Sequence, residues 1–353
     1  MPAHCDNDVV DADETSIDCG GECGCRAEFI ALGDLPGGTF NSTAHSVSRS
    51  GDVVVGVGTT DDEATHSFIW KSSVLSKIPL QIPGLRQDYA YAVSDDGSVV
   101  VGGAGVENSA GMGWVWIAGG ATITNAQVST LVALSGDGKV AAGDHFTESV
   151  RSSPLTFTVS TSVIRLLSTL PAHDTNSYPT GASLDGRVIV GRCGSTRVEA
   201  VPCRWDAAGV PTIVGDLPGG DSYGWASDVS DDGIVVVGNS SSSSGTQAFH
   251  YNGTRTYGLG FLPGGTHSMA NGVSGDGRFV VGTASSSDDH GAFLWDEASG
   301  MRSVADELKS RGYELPNTWK VRNANGISGD GKSIVGAATN PSGNNEAFLV
   351  RLK

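Results

Sequence analysis

A five-residue turn motif recurs seven times along this chain, and it restricts the fold more tightly than any other feature. It reads small or apolar residue–Ser–x–Asp–Gly. A β-branched run ending in Gly follows, then a polar loop and an aromatic pair spaced two residues apart. Clear copies are Ser94-Asp95-Asp96-Gly97, Ser135-Gly136-Asp137-Gly138, Ser230-Asp231-Asp232-Gly233, Ser274-Gly275-Asp276-Gly277 and Ser328-Gly329-Asp330-Gly331. Ser183-Leu184-Asp185-Gly186 is a good copy, and Ser48-Arg49-Ser50-Gly51 is a degenerate one. The closing glycines fall at 51, 97, 138, 186, 233, 277 and 331. A period of roughly 40–50 residues built from short strands belongs to propellers and related arrays.

The sixth unit shows the local logic. Ser268 to Ser274 predicts a strand (a), and Gly275-Asp276-Gly277 a tight turn in which Asp bonds the backbone and Gly supplies positive φ. Arg278 to Thr283 predicts strand b, and Ala292 to Trp295 strand c after a polar loop; Gly300 then turns the chain towards strand d. Neighbouring units show strand d more clearly, at Thr212–Leu217 and Tyr257–Leu262, each running into Pro-Gly-Gly. A lone four-stranded meander cannot bury both faces, whereas sheets packed around an axis can. Phe68, Trp114, Phe157, Cys203, Phe249, Phe293 and Phe348 are read as one aromatic column. Trp70, Trp116, Trp205, Tyr251 and Trp295 follow two residues later on the same strand face, so both columns predict inter-sheet core.

The count closes on itself. The seventh unit ends in strand c, Glu346 to Leu352, and the missing strand d stands at the start, Phe29 to Gly38. A linear solenoid has no reason to begin with a strand that completes its far end. The prediction is therefore an all-β, seven-bladed β-propeller of four-stranded antiparallel meanders, its ring closed by the N-terminal strand joining the last blade. One short helix is expected at residues 303–312: Ser303-Val304-Ala305-Asp306 reads as a capping box with Asp in place of Glu, and Gly312 stops the helix. It is expected to pack as a plug or lid on one face. The domains are then residues 1–28, a Cys-rich acidic module, and 29–353, the propeller.

Composition excludes several classes. The formal net charge of −17 argues against nucleic acid as a partner. Residues 1–28 hold eight acids and one base, which leaves about −10 for the repeats. No run of 18 apolar residues predicts a membrane span. Met1-Pro2-Ala3-His4 leads straight into acidic residues without an export-signal pattern, so the chain reads as a mature or trimmed form. Cys5, Cys19, Cys23 and Cys25 cluster in the first segment, and Cys193 and Cys203 lie on adjacent strands of the fourth unit. That even, clustered usage predicts disulfides and an oxidising compartment, with Cys193–Cys203 bridging one hairpin. The four N-terminal cysteines allow three pairings.

Leu35-Pro36-Gly37-Gly38, the Val-Ser-x-Asp-Gly turns, the Val-Val-Gly strands and Ala292-Phe293-Leu294-Trp295 together resemble the HAF-repeat family of bacterial extracellular proteins. The resemblance covers about residues 29–353. Units three and four depart from it, with Thr156-Phe157-Thr158-Val159 and Pro202-Cys203-Arg204-Trp205 replacing Ala-Phe-x-Trp. It implies secretion, to the extracellular space or cell surface, and a propeller-like β fold; it carries over no catalytic residue. The N-terminal segment, from Cys5-Asp6-Asn7-Asp8 to Asp18-Cys19-Gly20-Gly21, resembles a short Cys-rich module of secreted myxobacterial proteins.

Candidate chemistry is sparse. Asp6, Asp8, Asp11, Asp13, Glu14 and Asp18 could offer oxygens to calcium, but the spacing is not an EF-hand. A solvated acidic loop pinned by disulfides is the expected state; no cofactor is required, and calcium is the one ion considered. The cysteine spacing does not suit zinc. Histidine pairs, phosphate loops and nucleophile elbows are absent from the sequence. The repeated Asp residues are explained by their turns.

The better signal is geometric. With strand a innermost, the d-to-a connections share one face of the ring and carry many aromatic and polar side chains. These are Phe40, Asn41 and His45 at the first blade, and Tyr89 beside Asp88 at the second. The fourth has Asp174 and Tyr178, and the fifth has Asp221, Tyr223 and Trp225. His267 stands at the sixth, with Trp319 and Arg322 at the seventh. Aromatic faces beside amides and carboxylates suit sugars or peptides. The expected function is a secreted, non-catalytic propeller that binds a glycan or an extracellular protein on this face. The alternative is a polysaccharide lyase or hydrolase with a site at the axis, to which His45, Tyr89, Tyr178, Tyr223 or His267 would contribute. A structural protein of the surface or matrix fits the composition equally well.

Overall fold

Each Ser-x-Asp-Gly motif closes its hairpin through its own side chains. Ser94 Oγ donates to Asp96 (2.7 Å) and accepts the Val99 amide (3.0 Å), while Asp96 accepts the Ser98 amide (2.9 Å). The same exchange recurs around Ser183 and Ser274. The hydrogen bond from Ser94 is the main cause holding the Asp96 carboxyl below its ordinary pKa, as expected of a turn former. All seven closing glycines have positive φ, between 67° and 76°. The degenerate first copy still uses Ser48 Oγ to accept the Val53 amide at 3.0 Å.

The computed structural model describes residues 26–107, 111–146, 152–171, 176–194, 200–286 and 290–353. Cys5, Cys19, Cys23, Cys25 and the acidic candidates Asp6, Asp8, Asp11, Asp13, Glu14 and Asp18 lie outside the described residues, as does Asp174. The strands form seven four-stranded antiparallel sheets, and six of them run a-b-c-d in simple sequence order. The seventh is completed from the N-terminus: Ala27–Gly33 pairs with Asn345–Leu352, from Ala27 opposite Leu352 to Ala31 opposite Phe348. Asn345 reinforces the closure, its Nδ2 reaching Asn41 Oδ1, the Ser42 carbonyl and Thr43 Oγ1 at 2.8–3.0 Å. The chain is thus a closed seven-bladed propeller. Residues from strand a of all seven blades line one central channel, so strand a is innermost. The outer strands of blades 1–6 are short, three or four residues each, and leave Val74, Leu166 and Ile213 exposed.

The Val-Val-Gly run has a packing cause. The glycine of strand b lies beneath the carbonyl of strand a and, in most blades, opposite an aromatic of strand c. A Cβ at Gly102 would stand 2.0 Å from the Tyr89 carbonyl oxygen and 2.3 Å from the Trp114 ring. The pairs are Gly56–Phe68, Gly102–Trp114, Gly238–Phe249, Gly282–Phe293 and Gly336–Phe348. These five aromatics are fully buried, each contributing roughly 1.5–3 kcal/mol to the inter-blade core.

Two blades depart. In blade 3 the residue opposite Gly143 is Leu155, and Phe157 pairs with Ala141. Phe157 therefore belongs to the second column, with Trp70 and Trp116, and not to the Phe68 column as the sequence suggested. The cause is register: Leu-Thr-Phe puts its aromatic two residues later along strand c. In blade 4, Cys203 stands opposite Gly191 and bridges to Cys193 across the hairpin, Cα–Cα 5.9 Å. The disulfide thus covers the glycine that an aromatic covers elsewhere.

The helix, Val304–Ser310, is capped as expected: Ser303 Oγ accepts the Asp306 amide at 3.0 Å and donates to the Asp306 carboxylate. Gly312 follows with φ +81°. It is neither plug nor lid. Val304 and Leu308 are fully buried in the core between blades 6 and 7, with Ala27, Leu294 and Val350. The helix packs against strands c and d of blade 6 and the outer strand of blade 7, because its one apolar stripe fits the gap between two sheets. Among the described residues no helix is long and apolar enough to cross a membrane.

Candidate functional site: the central channel and its mouth

Every strand a carries a β-bulge at the same place. The residue before it pairs with the strand b glycine, the next residue is skipped, and pairing then resumes. The skipped residues are His45, Tyr91, Val132, Thr180, Ser227, Asn271 and Asn325, one per blade. A bulge re-aims the side chain it frees. All seven line the channel, whose volume is about 160 Å³.

Four of them tie blade to blade. His45 Nδ1 donates to the Ala90 carbonyl (2.8 Å), and Thr180 Oγ1 to that of Ala226 (2.8 Å). Asn271 Nδ2 donates to Ala324 and Asn325 Nδ2 to Ala44, each at 2.9 Å. Each acceptor is the residue before the next blade's bulge, so the channel wall is stitched by side chains. Burial pushes the His45 pKa down and keeps the ring neutral. Asp228, next to the fifth bulge, accepts the Val229 amide (2.8 Å) and the Val273 amide (3.0 Å). Burial nevertheless raises its carboxyl to about 6, the two amides opposing and the nearby Asp231 charge adding to the rise.

A ring of turns surrounds one end of the propeller axis. The seven a–b turns are linked in a belt of backbone hydrogen bonds of 2.9–3.4 Å that runs Arg49, Asp95, Gly136/Asp137, Leu184, Asp231, Gly275, Gly329/Asp330 and back to Arg49. Arg49 of blade 1 reaches across the ring. Its Nε donates to Asp95 at 2.6 Å and its Nη2 to Asp231 of blade 5. These bonds, that to Asp231 foremost, raise the Arg49 pKa further above its ordinary value. Glycines fill the same turn position where a side chain would obstruct: a Cβ at Gly275 would fall 2.4 Å from Asp231 Oδ2, and one at Gly329 3.0 Å from Arg49 Cζ.

The other end is the loop-rich face. Counting back from the strand b glycine, Tyr89, Tyr178 and Trp225 hold one equivalent position on blades 2, 4 and 5. All three are half-buried. Tyr89 stacks on Tyr91 (6.1 Å) and Tyr91 on His45 (5.9 Å), a ladder from mouth to channel. Arg192 lies over the Tyr178 ring at 4.6 Å, and Trp225 meets Tyr223 edge to face at 5.8 Å. These are the expected candidates that the fold gathers.

The others serve different ends. Asn41 is part of the Asn345 latch and also donates its amide to Asp34. Trp319 packs edge to face on Phe29 at 5.1 Å, within the core of the last blade. Arg322 Nε is held by Thr339 Oγ1 at 3.0 Å, and the His267 amide by Ser285 Oγ. Phe40 and Asp221 are exposed on the face. Asp88 is wholly buried: it accepts from His66 Nδ1 (2.6 Å) and from the Ser67 amide, and so anchors blade 1 to blade 2.

Sequence reasoning missed Tyr91, Thr180, Asp228, Asn271 and Asn325. For all but Asp228 the signal was present, since the bulge residue stands three positions before each turn serine; Asp228 follows the fifth bulge residue, Ser227. Strict strand alternation hides it.

The fold and the site together define a closed seven-bladed propeller with a polar central channel. No family model and no curated protein matches the sequence. Among solved structures, a putative TolB from Agrobacterium tumefaciens is similar at 17% identity and TM-score 0.48, over 88% of this chain and 98% of that one. TolB from Acinetobacter baumannii is similar at 15% identity and TM-score 0.49, over 86% and 82%.

Proposed function

We propose that the chain is an exported, HAF-repeat-type binding propeller that holds a glycan at the loop-rich mouth of its channel without transforming it. The observation carrying this reading is the placement of Tyr89, Tyr178 and Trp225 at one register position on three blades, half-buried, above a polar channel. Flat aromatic faces with hydrogen-bonding neighbours suit pyranose rings. The channel itself is smaller than the roughly 300–1,000 Å³ of ordinary ligand pockets, so the ligand sits at the mouth. The Cys193–Cys203 bridge supports export to an oxidising compartment.

The test is a glycan-array screen on the purified chain, run beside an assay for degradation of every polysaccharide bound. Saturable binding that weakens in Trp225→Ala, with no product released, is expected. New reducing ends or unsaturated products would replace this reading with the lyase or hydrolase. Binding unchanged in Trp225→Ala and Tyr178→Ala would remove the mouth as the site.

A further inference from the structure

A second cleft lies away from the mouth. It lies on the opposite, turn-rich face between blades 5 and 6, with a volume of about 780 Å³, within the range of ligand pockets. Its walls are the c–d turns of the two blades and the a–b turn of blade 6. Three rings meet there: His250 stacks on Tyr257 at 5.0 Å and lies 5.6 Å from Trp295.

His250 stands where most other blades carry an apolar residue. Ile69, Val115, Leu294 and Leu349 hold the equivalent place in strand c of blades 1, 2, 6 and 7, and Thr156 and Arg204 hold it in blades 3 and 4. His250 is 6% exposed. Its Nε2 donates to the Gly277 carbonyl at 3.2 Å, so Nδ1 must be the acceptor nitrogen, and among the described residues Nδ1 has no partner. Burial, the chief cause, lowers the His250 pKa and keeps the ring neutral. A buried acceptor without a donor is costly unless something supplies one.

Charge at the cleft is also unbalanced. Asp296 is paired with Arg302 at 2.7 Å. The neighbouring groove by the helix shares Arg278 and Asp296, but its Arg302 and Arg311 are both engaged by Glu307. Among the described residues the Arg255 guanidinium has no partner, and that of Arg278 meets only the Phe279 ring, at 5.6 Å. Two uncommitted guanidiniums thus flank an aromatic wall in a chain of net charge −17. Glu297, on the rim, disfavours a densely anionic ligand.

The geometry points to a second ligand site here, for an acidic sugar: a hexuronate residue of a polysaccharide. Its ring would lie on Tyr257, its carboxylate would take Arg255 and Arg278, and a hydroxyl would donate to His250 Nδ1. This site is independent of the loop-rich mouth and stands or falls without it.

Trigalacturonate, maltotriose and inorganic phosphate are titrated into the full chain by calorimetry. Trigalacturonate is expected to bind with a Kd at or below about 1 mM. Binding should weaken at least about tenfold in Arg255→Ala/Arg278→Ala, through loss of the charge-assisted bonds. His250→Leu places there the kind of apolar residue that blades 1, 2, 6 and 7 carry and should fold, yet weaken binding about tenfold. Maltotriose should bind at least about tenfold more weakly than trigalacturonate. Saturation absent up to about 10 mM overturns the site. Equal binding of maltotriose or of phosphate overturns the ligand class. Undiminished trigalacturonate binding in the double arginine variant overturns the location.

Discussion

Cys193→Ala/Cys203→Ala should destabilise the propeller measurably, and the amount follows from where the bridge lies. The two cysteines are ten residues apart, so cross-linking them removes about 9 cal/mol/K of chain entropy from the unfolded state, about 2.7 kcal/mol at 25 °C. Both sulfurs are fully buried in the blade 4 core beside Trp205 and Leu167. Deleting them adds roughly 0.8 kcal/mol each, for a total near 4 kcal/mol. The roughly 310 described residues give an unfolding entropy of about 0.65 kcal/mol/K, so Tm should fall by about 6 °C in scanning calorimetry. The second half of the argument is that the bridge stands where other blades put an aromatic. Cys193→Ala/Cys203→Phe should therefore recover part of the loss, since Phe would refill the space over Gly191. A fall below about 1 °C in the Ala variant would refute the entropy argument. A Phe variant less stable than the Ala variant would refute the substitution argument.

Gly102→Ala should cost about 3 kcal/mol or more in denaturant unfolding, because its Cβ would meet the Tyr89 carbonyl oxygen at 2.0 Å. Gly300→Ala, with φ +70° and nothing within 4 Å, should cost only about 1 kcal/mol, the strain of the backbone alone. Arg49→Ala leaves Asp95 and Asp231 without their shared cation in the turn belt; a loss of about 1 kcal/mol that shrinks in high salt is expected from urea melts. Asp228 carries the sharpest pH prediction. Its folded pKa of about 6 exceeds the ordinary carboxyl value of 3.8, so the fold holds this proton more tightly than the unfolded chain does. The contribution is full below about pH 4 and is lost as pH rises through 6, about 3 kcal/mol in all. Asp96 and Asp137, whose pKa values are lowered, act in the opposite sense, so the difference between wild type and Asp228→Asn is the quantity to measure. Wild type should lose ground to the variant steadily from pH 4 to pH 7, and a pH-independent difference would contradict the burial of that carboxyl.

What the sequence disclosed and what it hid differ in physical kind. The blade count, the ring closure, the helix cap and the Cys193–Cys203 bridge rest on local or repeated causes. A serine and an aspartate fold back on their own turn. A glycine is needed where a carbonyl stands 2 Å from its Cβ position, and a strand is missing at one end and present at the other. Such causes repeat, and repetition makes them legible. Phe157 was misplaced by two residues because a column of aromatics can be aligned from sequence in either register, and only pairing across the sheet decides between Leu155 and Phe157 opposite Gly143. The channel was hidden for a related reason. Alternation sends successive side chains to opposite faces, so Thr180, Asn271 and Asn325 read as ordinary half-exposed strand residues until the bulge turns them to the axis. The site residues are those in which the blades differ from one another. Arg49 departs from the glycine of blades 3, 6 and 7 at the turn belt, His250 from the apolar residue of blades 1, 2, 6 and 7 in strand c, and Tyr89, Tyr178 and Trp225 from Thr43 and Thr130 at the mouth. In a ring of near-identical blades, the repeat specifies the scaffold, and the positions that break it without a packing reason carry whatever distinguishes one propeller's ligand from another's.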